Sequence, residues 1–296
     1  MSVTAVDLPV PVRRSRVRRF LRRFPMSARL AALLVLAYVV IALTGPLWTP
    51  YDPFQASTGL PFSGASRSHL FGTDILGRDV FSRVVYGTRD VLYLALTSTF
   101  VAVVIGGLIG LASGLVGGWI DELLMRIFET IISIPLLVLA LLAIAAAGPK
   151  ASGSSLLLIG VVVLVYAPRI ARMARAVSVD LVTRDFVTVA RARGESVRSI
   201  VWRELTPNAA GVLLVEFGVR AGYAPILISS LGFLGFGARP PSPEWGLMIS
   251  ENRAALVTAP LTVLAPSAAL ALLVISLNLV TDGIARALGR SAKRTP

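Results

Sequence analysis

The 296-residue sequence has no cysteine, a single histidine (His69) and few charges, since Asp, Glu, Lys and Arg make up only 15% of it. The lack of cysteine excludes disulfides, thiolate nucleophiles and iron–sulfur ligands. One histidine argues against a zinc or haem site formed by this chain alone. The low charge argues against an ordinary cytosolic enzyme, because soluble domains carry about 25% charged residues.

The sequence is unusually rich in hydrophobic residues and in long apolar runs. Hydrophobic residue types make up 55% of the chain, and its mean hydropathy is +0.77. One soluble core could not bury so much apolar surface, so lipid is the expected solvent. Six apolar runs are close to the roughly 20 residues that cross a bilayer core, which predicts an all-α integral membrane protein with six transmembrane helices. The runs cover residues 30–48, 91–116, 127–147, 154–173, 209–231 and 262–283.

The fourth of these runs is the least regular. Its apolar part, from Ser155 to Ala167, is short, and Pro168 interrupts it. To span a bilayer this run must include Arg169 and Arg172, whose long side chains can extend to the inner face of the membrane.

Basic charge is distributed unevenly between the segments that connect the runs. The net charge is +7 for residues 1–29, +4 for residues 168–208 and +3 for residues 282–296, whereas residues 48–90 and 232–261 each sum to zero. Cytoplasmic segments of membrane proteins carry the excess of Lys and Arg. We therefore expect the amino and carboxyl termini in the cytoplasm, as an even number of spans requires.

These patterns divide the chain into successive parts. Residues 1–29 are interpreted as a basic cytoplasmic segment on anionic lipid head groups or as a disordered basic tail, and neither interpretation makes them a nucleic-acid-binding arm. The other parts are a first transmembrane helix at 30–48, an extracytoplasmic loop at 49–90, a transmembrane core at 91–283 with a cytoplasmic loop at 174–208, and a cytoplasmic tail at 284–296.

A stripe of glycines lies in the second run. These glycines recur at every fourth position, which lets another helix, in this chain or in a partner, approach closely. They are Gly106, Gly110, Gly114 and Gly118. Ordinary helix packing is the favoured interpretation.

Two charged residues, Glu216 and Arg220, lie one helical turn apart in the fifth run. Charges inside a membrane usually pair with each other or face a cavity. The sequence leaves both possibilities open: the two side chains form an ion pair that stabilises the helix, or they line a polar path for a charged solute.

The basic loop at 168–208 contains two short amphipathic segments separated by Gly194. Apolar residues recur at helical spacing on both sides of this glycine. They are Phe186, Val189, Ala190, Val197, Ile200, Val201 and Leu205. Thr206 and Pro207 then predict an N-cap and a first helical residue for the fifth span. A helix–glycine–helix of this size is suited to docking in a groove of a partner, and the alternative is a connector on the membrane surface.

Motifs of several enzyme classes are missing. The sequence has no G-x-x-x-x-G-K-[ST] phosphate loop, so the chain is not itself a P-loop ATPase, and no G-x-S-x-G serine elbow. One rival function is a secondary transporter or channel that works alone, which predicts proton-relay residues within the spans or inverted repeats. Glu216 alone fits the first criterion. A membrane-embedded enzyme is the other rival, and no catalytic constellation supports it.

Two long motifs carry a resemblance to a known family. The segment F-G-T-D-I-L-G-R-D-V-F-S-R, which starts at Phe71, resembles the G-T-D-x-x-G-R-D segment of permease subunits from ABC importers of the dipeptide, oligopeptide and nickel class. The segment L-G-F-L-G-F-G from Leu231, followed by P-P-S-P-E-W-G from Pro240, is similar to a second segment of those subunits. The match covers about residues 28–292 and indicates the second of the two related permeases.

A third motif is similar, in a degenerate form, to the signature loop of importer permeases, E-A-A-x-x-x-G followed by I-x-L-P. Thr188, Val189 and Ala190 occupy the E-A-A positions, Gly194 the glycine and Pro207 the proline, while Glu204 and Thr206 replace the Ile and Leu. In the family this loop is the coupling helix that docks on the ATPase subunit. The resemblance therefore implies coupling roles, with the apolar side chains filling a groove on the ATPase. The implied coupling residues are Ala190, Gly194, Val197, Ile200, Val201 and Pro207.

The resemblance also implies the ABC type I importer permease fold and a non-catalytic subunit in the inner membrane of a prokaryote. The implied partners are a second homologous permease, two ATP-binding subunits that hold ATP and Mg²⁺, and an extracytoplasmic solute-binding protein. The chain itself would need no cofactor and would bind no nucleic acid. The solute would be a dipeptide or oligopeptide, or alternatively nickel or haem.

Two sets of site residues follow from the same resemblance. The solute would cross at the interface between the two permeases, with Glu216 and Arg220 as candidate path residues. The loops at 48–90 and 232–261 would face the binding protein. Their glycines and prolines, Gly77, Gly237, Pro240 and Pro241, would also shape turns, and Phe233, Phe236 and Trp245 would be interfacial anchors. The binding-protein-facing residues are predicted to be Gly237, Pro240, Pro241 and Trp245.

Overall fold

The computed structural model describes residues 25–148, 151 and 153–292, with side chains up to Ala287. Most of these residues are helical, and none of them lies in a β-strand. The helices are α1 (Met26–Trp48), α2 (Val80–Val116), α3 (Gly118–Ser133), α4 (Leu136–Ala147), α5 (Ser155–Val182), α6 (Asp185–Ala192), α7 (Val197–Ile200), α8 (Thr206–Phe233), α9 (Trp245–Asn252) and α10 (Leu261–Ala292). Most of the basic segment predicted at 1–29, and the last four residues of the tail predicted at 284–296, lie outside this description.

Five helical segments are long and apolar enough to cross a bilayer. They are α1, α2, α5, the continuous run Val197–Phe233 and the run Leu261–Ala287. Helices α3 and α4 together pass the same test, but they meet at a bend of 98°. Counting this bent pair as one broken span gives the six spans, and the all-α prediction is confirmed.

The span predicted over 127–147 is not one continuous helix, because the chain bends at Ile134. Ile134 is extended (φ −75°, ψ 130°) and Pro135 follows it. A proline disfavours the helical conformation of the residue before it, so α3 ends at Ser133 and α4 begins anew at Leu136.

Helix α2 is longer than predicted and begins at Val80 rather than near residue 91. The Asp79 carboxylate starts it, since its Oδ2 accepts a hydrogen bond from the Ser82 backbone N at 2.8 Å, the usual N-cap geometry. A helix of 37 residues is about 55 Å long. Because this length exceeds the bilayer core, part of α2 lies outside it, and the loop predicted at 49–90 has a helical end.

The glycine stripe packs α2 against α5. A Cβ placed on Gly110 would overlap the carbonyl oxygen of Ala171, and one on Gly106 would lie 2.5 Å from the carbonyl oxygen of Ala167. The Ser178 hydroxyl completes the seam by donating to the Leu111 carbonyl at 2.8 Å. The favoured interpretation of the stripe therefore holds at these positions, and the partner helix belongs to the same chain.

Candidate functional site

One end of the bundle is closed by a cap formed by residues 49–79 and 234–260. Within it, the Asp74 carboxylate accepts hydrogen bonds from the backbone N of Leu76 and Arg78 at 2.9 and 3.0 Å, and it also pairs with the Arg78 guanidinium. Arg78 Nη2 reaches Glu251 Oε2 of α9 at 2.7 Å. The G-T-D-x-x-G-R-D motif is thus a folded, buried turn that is bonded to the second loop region.

Arg83, on the first turns of α2, joins the same cluster. Its side chain is fully buried, and it donates to the carbonyl oxygens of Pro53, Pro241 and Ser242 at 3.2 to 3.4 Å. It also lies 3.5 Å from Glu251 Oε2. Two guanidinium groups and two carboxylates therefore balance one another, and they tie both motif loops to α2.

The single histidine, His69, has a structural position in the cap. Its Nδ1 lies 3.0 Å from Asp79 Oδ1, and its ring stacks on Tyr51 with 4.8 Å between the ring centres. Because Asp79 is the N-cap of α2, His69 holds the residue that starts this helix.

The second motif starts α9 with a buried carboxylate. Glu244 accepts hydrogen bonds from the backbone N of Gly246 and Leu247 at 2.9 and 2.8 Å, and from the Ser229 hydroxyl of α8 at 2.9 Å. Burial raises the pKa of Glu244 above its usual 4.5, and the hydrogen bonds from Gly246, Leu247 and Ser229 oppose this effect. The cap thus contains an ionisable group that costs stability in its charged form.

Two of the four residues predicted to face the binding protein in the loop at 232–261 are buried. Trp245 is fully buried, and its Nε1 donates to the Val84 carbonyl at 3.0 Å, so it is neither an interfacial anchor nor a contact for another protein. Gly237 is buried because it packs on Gly232. Pro240 and Pro241 are exposed, and Phe236 is partly exposed beside them.

At the opposite end, α6 and α7 form a small helical hairpin around Gly194. Gly194 has φ +75°, and no other described atom lies within 4 Å of a Cβ built on it. The Ser196 hydroxyl caps α7 by accepting from the Ser199 backbone N at 3.3 Å. Arg191 of α6 donates to the Leu115 carbonyl at the end of α2 at 2.9 Å. Glycine is thus needed here for its left-handed conformation rather than for space.

The apolar face of this hairpin is turned inward. Ala190, Ile200 and Val201 are at most 4% exposed and pack on α2 and α5. The expectation that Ile200 and Val201 fill a groove on a partner is therefore wrong, because the chain's own helices already cover them. Val197 is 47% exposed, and Val189 and Trp202 are each 52% exposed.

Thr206 and Pro207 do open α8, but the predicted N-cap at Thr206 is wrong, because Thr206 is itself helical and a helical turn precedes it. The chain remains helical from Val197 to Phe233, with a π-helical turn at Val201–Leu205. Proline lacks a backbone N–H and crowds the preceding turn of a helix. The wider π turn accommodates Pro207 without a break, and the Thr206 hydroxyl donates to the Val201 carbonyl at 2.7 Å.

Glu216 and Arg220 pair with each other on α8. Arg220 Nε donates to Glu216 Oε1 at 2.7 Å, and the guanidinium lies 5.7 Å from the centre of the Tyr166 ring on α5. The pair is partly exposed. Of the two possibilities that the sequence left open, the ion pair is formed.

Comparison with known proteins identifies the family of this chain. Residues 103–294 match the family described as binding-protein-dependent transport system inner membrane component. The chain belongs to this family. It is therefore a permease subunit, and the family's ATP hydrolysis resides in other subunits.

Relatives that align with the permease over most of their length are named as transport permeases. It is 33% identical over 261 residues to the dipeptide transport system permease protein DppC of Alkalihalophilus pseudofirmus, covering 88% of this chain and 84% of that protein. It is 36% identical over 280 residues to the glutathione transport system permease protein GsiD of Pectobacterium atrosepticum, covering 93% and 90%. GsiD of Shigella sonnei is equally similar, with 93% and 89% covered.

One buried contact of the permease was missed from the sequence. Asp121, in the first turn of α3, accepts hydrogen bonds from the Ser113 hydroxyl of α2 and from the Arg175 guanidinium of α5. The available signal was an acidic residue beside a Gly-Gly turn, together with an arginine in a later helix. Nothing in the sequence says that these two positions, 54 residues apart, come into contact.

Proposed function

We propose that this permease is one of two membrane subunits of an ATP-driven importer for peptides. The observation that carries the proposal is its 33% and 36% identity, over nearly the whole chain, to dipeptide and glutathione permeases. The other subunits would be a second homologous permease and two ATP-binding subunits that hold ATP and Mg²⁺. An extracytoplasmic solute-binding protein would deliver the peptide.

The cap is the proposed surface for the binding protein. Pro240 and Pro241 are exposed, and Phe236 is partly exposed next to them. Gly237 and Trp245 are buried and anchor this loop to the rest of the protein. The buried cluster of Arg78, Arg83, Asp74 and Glu251 fixes its shape. A rigid surface loses less entropy when a partner docks, which supports this role.

The hairpin of α6 and α7 is the proposed coupling surface for an ATP-binding subunit. Its exposed apolar side chains, Val189, Val197 and Trp202, are available for a partner's groove. Four predicted coupling residues do not face the partner in this proposal. Ala190, Ile200 and Val201 attach the hairpin to the bundle, and Pro207 lies where the hairpin continues without interruption into α8. Movement of the hairpin would therefore reach the transmembrane helices directly.

The proposed orientation places the cap outside the cell and both termini in the cytoplasm, in the inner membrane of a prokaryote. The charge asymmetry supports it. Since the chain has no cysteine, single cysteines at exposed positions report sidedness. Ala65→Cys should react with an impermeant maleimide in intact cells, and Thr188→Cys only after permeabilisation; the reverse pattern would overturn the orientation.

The test of the function is transport by the whole complex in proteoliposomes, with the permease, its encoded partner subunits and the binding protein. We expect uptake of labelled Ala-Ala that requires ATP and the binding protein. Uptake of nickel or haem instead of the peptide would assign the solute differently. Uptake by the permease alone, without ATP, would support the secondary-transporter alternative and contradict the proposal.

A further inference from the structure

Two arginines, Arg169 and Arg220, lie in a polar seam between α5 and α8, and an exposed third, Arg172, follows almost one turn further along α5. Arg220 is held by Glu216 and lies over the Tyr166 ring. Arg169, one turn further along α5 than Tyr166, donates from Nη1 to the Val165 carbonyl at 2.8 Å. Arg169 is close enough to Arg220 for the two charges to repel each other.

A cavity of about 330 Å³ opens beside this seam. Ile132, Arg169, Arg172 and Met173 line it. Within the described part of the chain, neither Arg169 nor Arg172 has a carboxylate partner within ion-pair distance. The group thus holds three guanidinium ions against the single carboxylate of Glu216.

The three arginines are spread along the depth of the bundle. Arg220 lies 14 residues into α8 from Thr206, or about 21 Å along the axis. Arg169 and Arg172 lie further towards the hairpin end, about 15 to 20 Å before the end of α5 at Val182. Charges at such depth are costly, and they usually mark a pathway.

We propose that Arg169, Arg172 and Arg220 form a carboxylate-binding site in the half of the translocation path nearer the hairpin. This inference rests on the proposed function, and it names the part of the peptide that the path recognises. A planar guanidinium matches a carboxylate with two parallel hydrogen bonds. Every peptide with a free carboxyl end presents such a group, whereas its ammonium end is repelled by the excess positive charge.

Glu216 has a positioning role in this site. Its Oε1 contacts both Nε and Nη2 of Arg220, at 2.7 and 2.6 Å, so that Nη1 and the second N–H of Nη2 would bind the anion beside Tyr166. Arg169 and Arg172, which have no carboxylate of their own among the described residues, would take over the anion as it moves towards the hairpin. Several weak cationic positions in sequence allow release as well as binding, as conduction through a pore requires.

The test uses a reporter cysteine in the cavity. Met173→Cys is placed in the otherwise cysteine-free chain, within the nucleotide-free complex in vesicles whose hairpin side is accessible. Its rates of modification by the anionic reagent sulfonatoethyl methanethiosulfonate and the cationic reagent trimethylammonioethyl methanethiosulfonate are compared with those of a small free thiol. We expect the anionic reagent to be favoured by about tenfold or more.

Two variants and one control identify the source of this preference. Arg169→Gln and Arg172→Gln should each lower the preference, and together they should abolish it. Arg126→Gln removes an exposed charge on α3 outside the cavity lining, and it should leave the preference unchanged. Ala-Ala at millimolar concentration should slow the modification, and its carboxyl-terminal amide should not.

The outcomes separate the site from the function. Equal rates for the two reagents, a preference that survives both Gln variants, protection by the amide equal to that by the acid, or protection by neither would each overturn the site. None of these measurements needs ATP or the binding protein. A failure of the proposed function shows instead as absent ATP-driven Ala-Ala uptake by the unmodified complex.

Discussion

Arg78 and Glu251 are separated by 173 residues in the sequence, and their side chains form an ion pair of 2.7 Å, with Arg78 buried. Arg78 belongs to the first motif, and Glu251 belongs to α9, directly after the second motif. The pair thus ties the first motif to the helix that begins within the second motif. The first motif supplies Asp74, Arg78 and Arg83 of the cluster that closes the end of the bundle, and α9 supplies Glu251.

Arg78→Ala should destabilise the cap strongly. It leaves Arg83 as the one guanidinium beside both the fully buried Asp74 carboxylate and Glu251, at 3.6 and 3.5 Å. Breaking a buried pair from one side costs about 3–5 kcal/mol. The measurement is thermal unfolding of the purified complex in detergent. Arg253→Ala is the matched control, because Arg253 is exposed and bonds only weakly to Ser250; equal effects of the two variants would contradict a stabilising role for the cluster.

Gly110→Ala should weaken the packing of α2 on α5. Even one methyl group would overlap the Ala171 backbone, and overpacking costs about 1–3 kcal/mol. Gly160→Ala is the control, since Gly160 lies within α5 with no described atom near its Cβ position, and alanine favours helix there. Thermal unfolding should therefore separate the two variants in opposite directions. If Gly110→Ala unfolds like the unmodified protein, the seam is looser than the structure describes.

The helices were largely predictable from the sequence, because lipid requires long apolar runs and the runs are present. Helix packing at the glycine repeat was predictable too, as Gly106 and Gly110 illustrate. The burial of side chains by distant parts of the chain was not predictable. Trp245 and Ile200 were expected to face outward, since neither the Val84 carbonyl that receives the indole N–H nor the α2 surface that covers Ile200 can be located from local sequence.

Breaks within the helices were predicted only in part. Pro135 ends a helix because Ile134 before it is extended, whereas Pro168, Pro207 and Pro225 do not end theirs. At Pro207 a π turn removes the steric conflict. A proline therefore marks a point of strain in the sequence, and the surrounding packing decides between a bend and a continuous helix.

Glu244 should make the stability of the cap depend on pH. Burial raises its pKa in the folded state above 4.5, so the folded protein holds this proton more tightly than the unfolded chain. The stabilisation is complete below pH 4.5 and is lost as the pH rises through the folded pKa. The unfolding temperature of the unmodified complex relative to Glu244→Gln should therefore fall as the pH is raised from 4.5 to neutrality. A difference that is constant or rises with pH would contradict this assignment.

Gly194 provides the sharpest test of the coupling surface, because the structure separates conformation from contact at this residue. Its φ of +75° is unfavourable for a branched side chain, while no described atom would touch an added Cβ. Gly194→Val should therefore distort the turn between α6 and α7, whereas Gly194→Asn should be tolerated, since asparagine adopts this conformation readily.

We expect the Val variant to assemble and bind the loaded binding protein normally. Its ATP hydrolysis stimulated by that protein should fall about tenfold, if about 1.4 kcal/mol of coupling energy is lost. The Asn variant should retain most of the stimulation. The measurement is ATPase activity of the reconstituted complex with and without loaded binding protein, alongside unfolding temperature. Full stimulation in Gly194→Val would make the hairpin a connector, and equal losses in Val and Asn would show that a partner contacts the glycine itself.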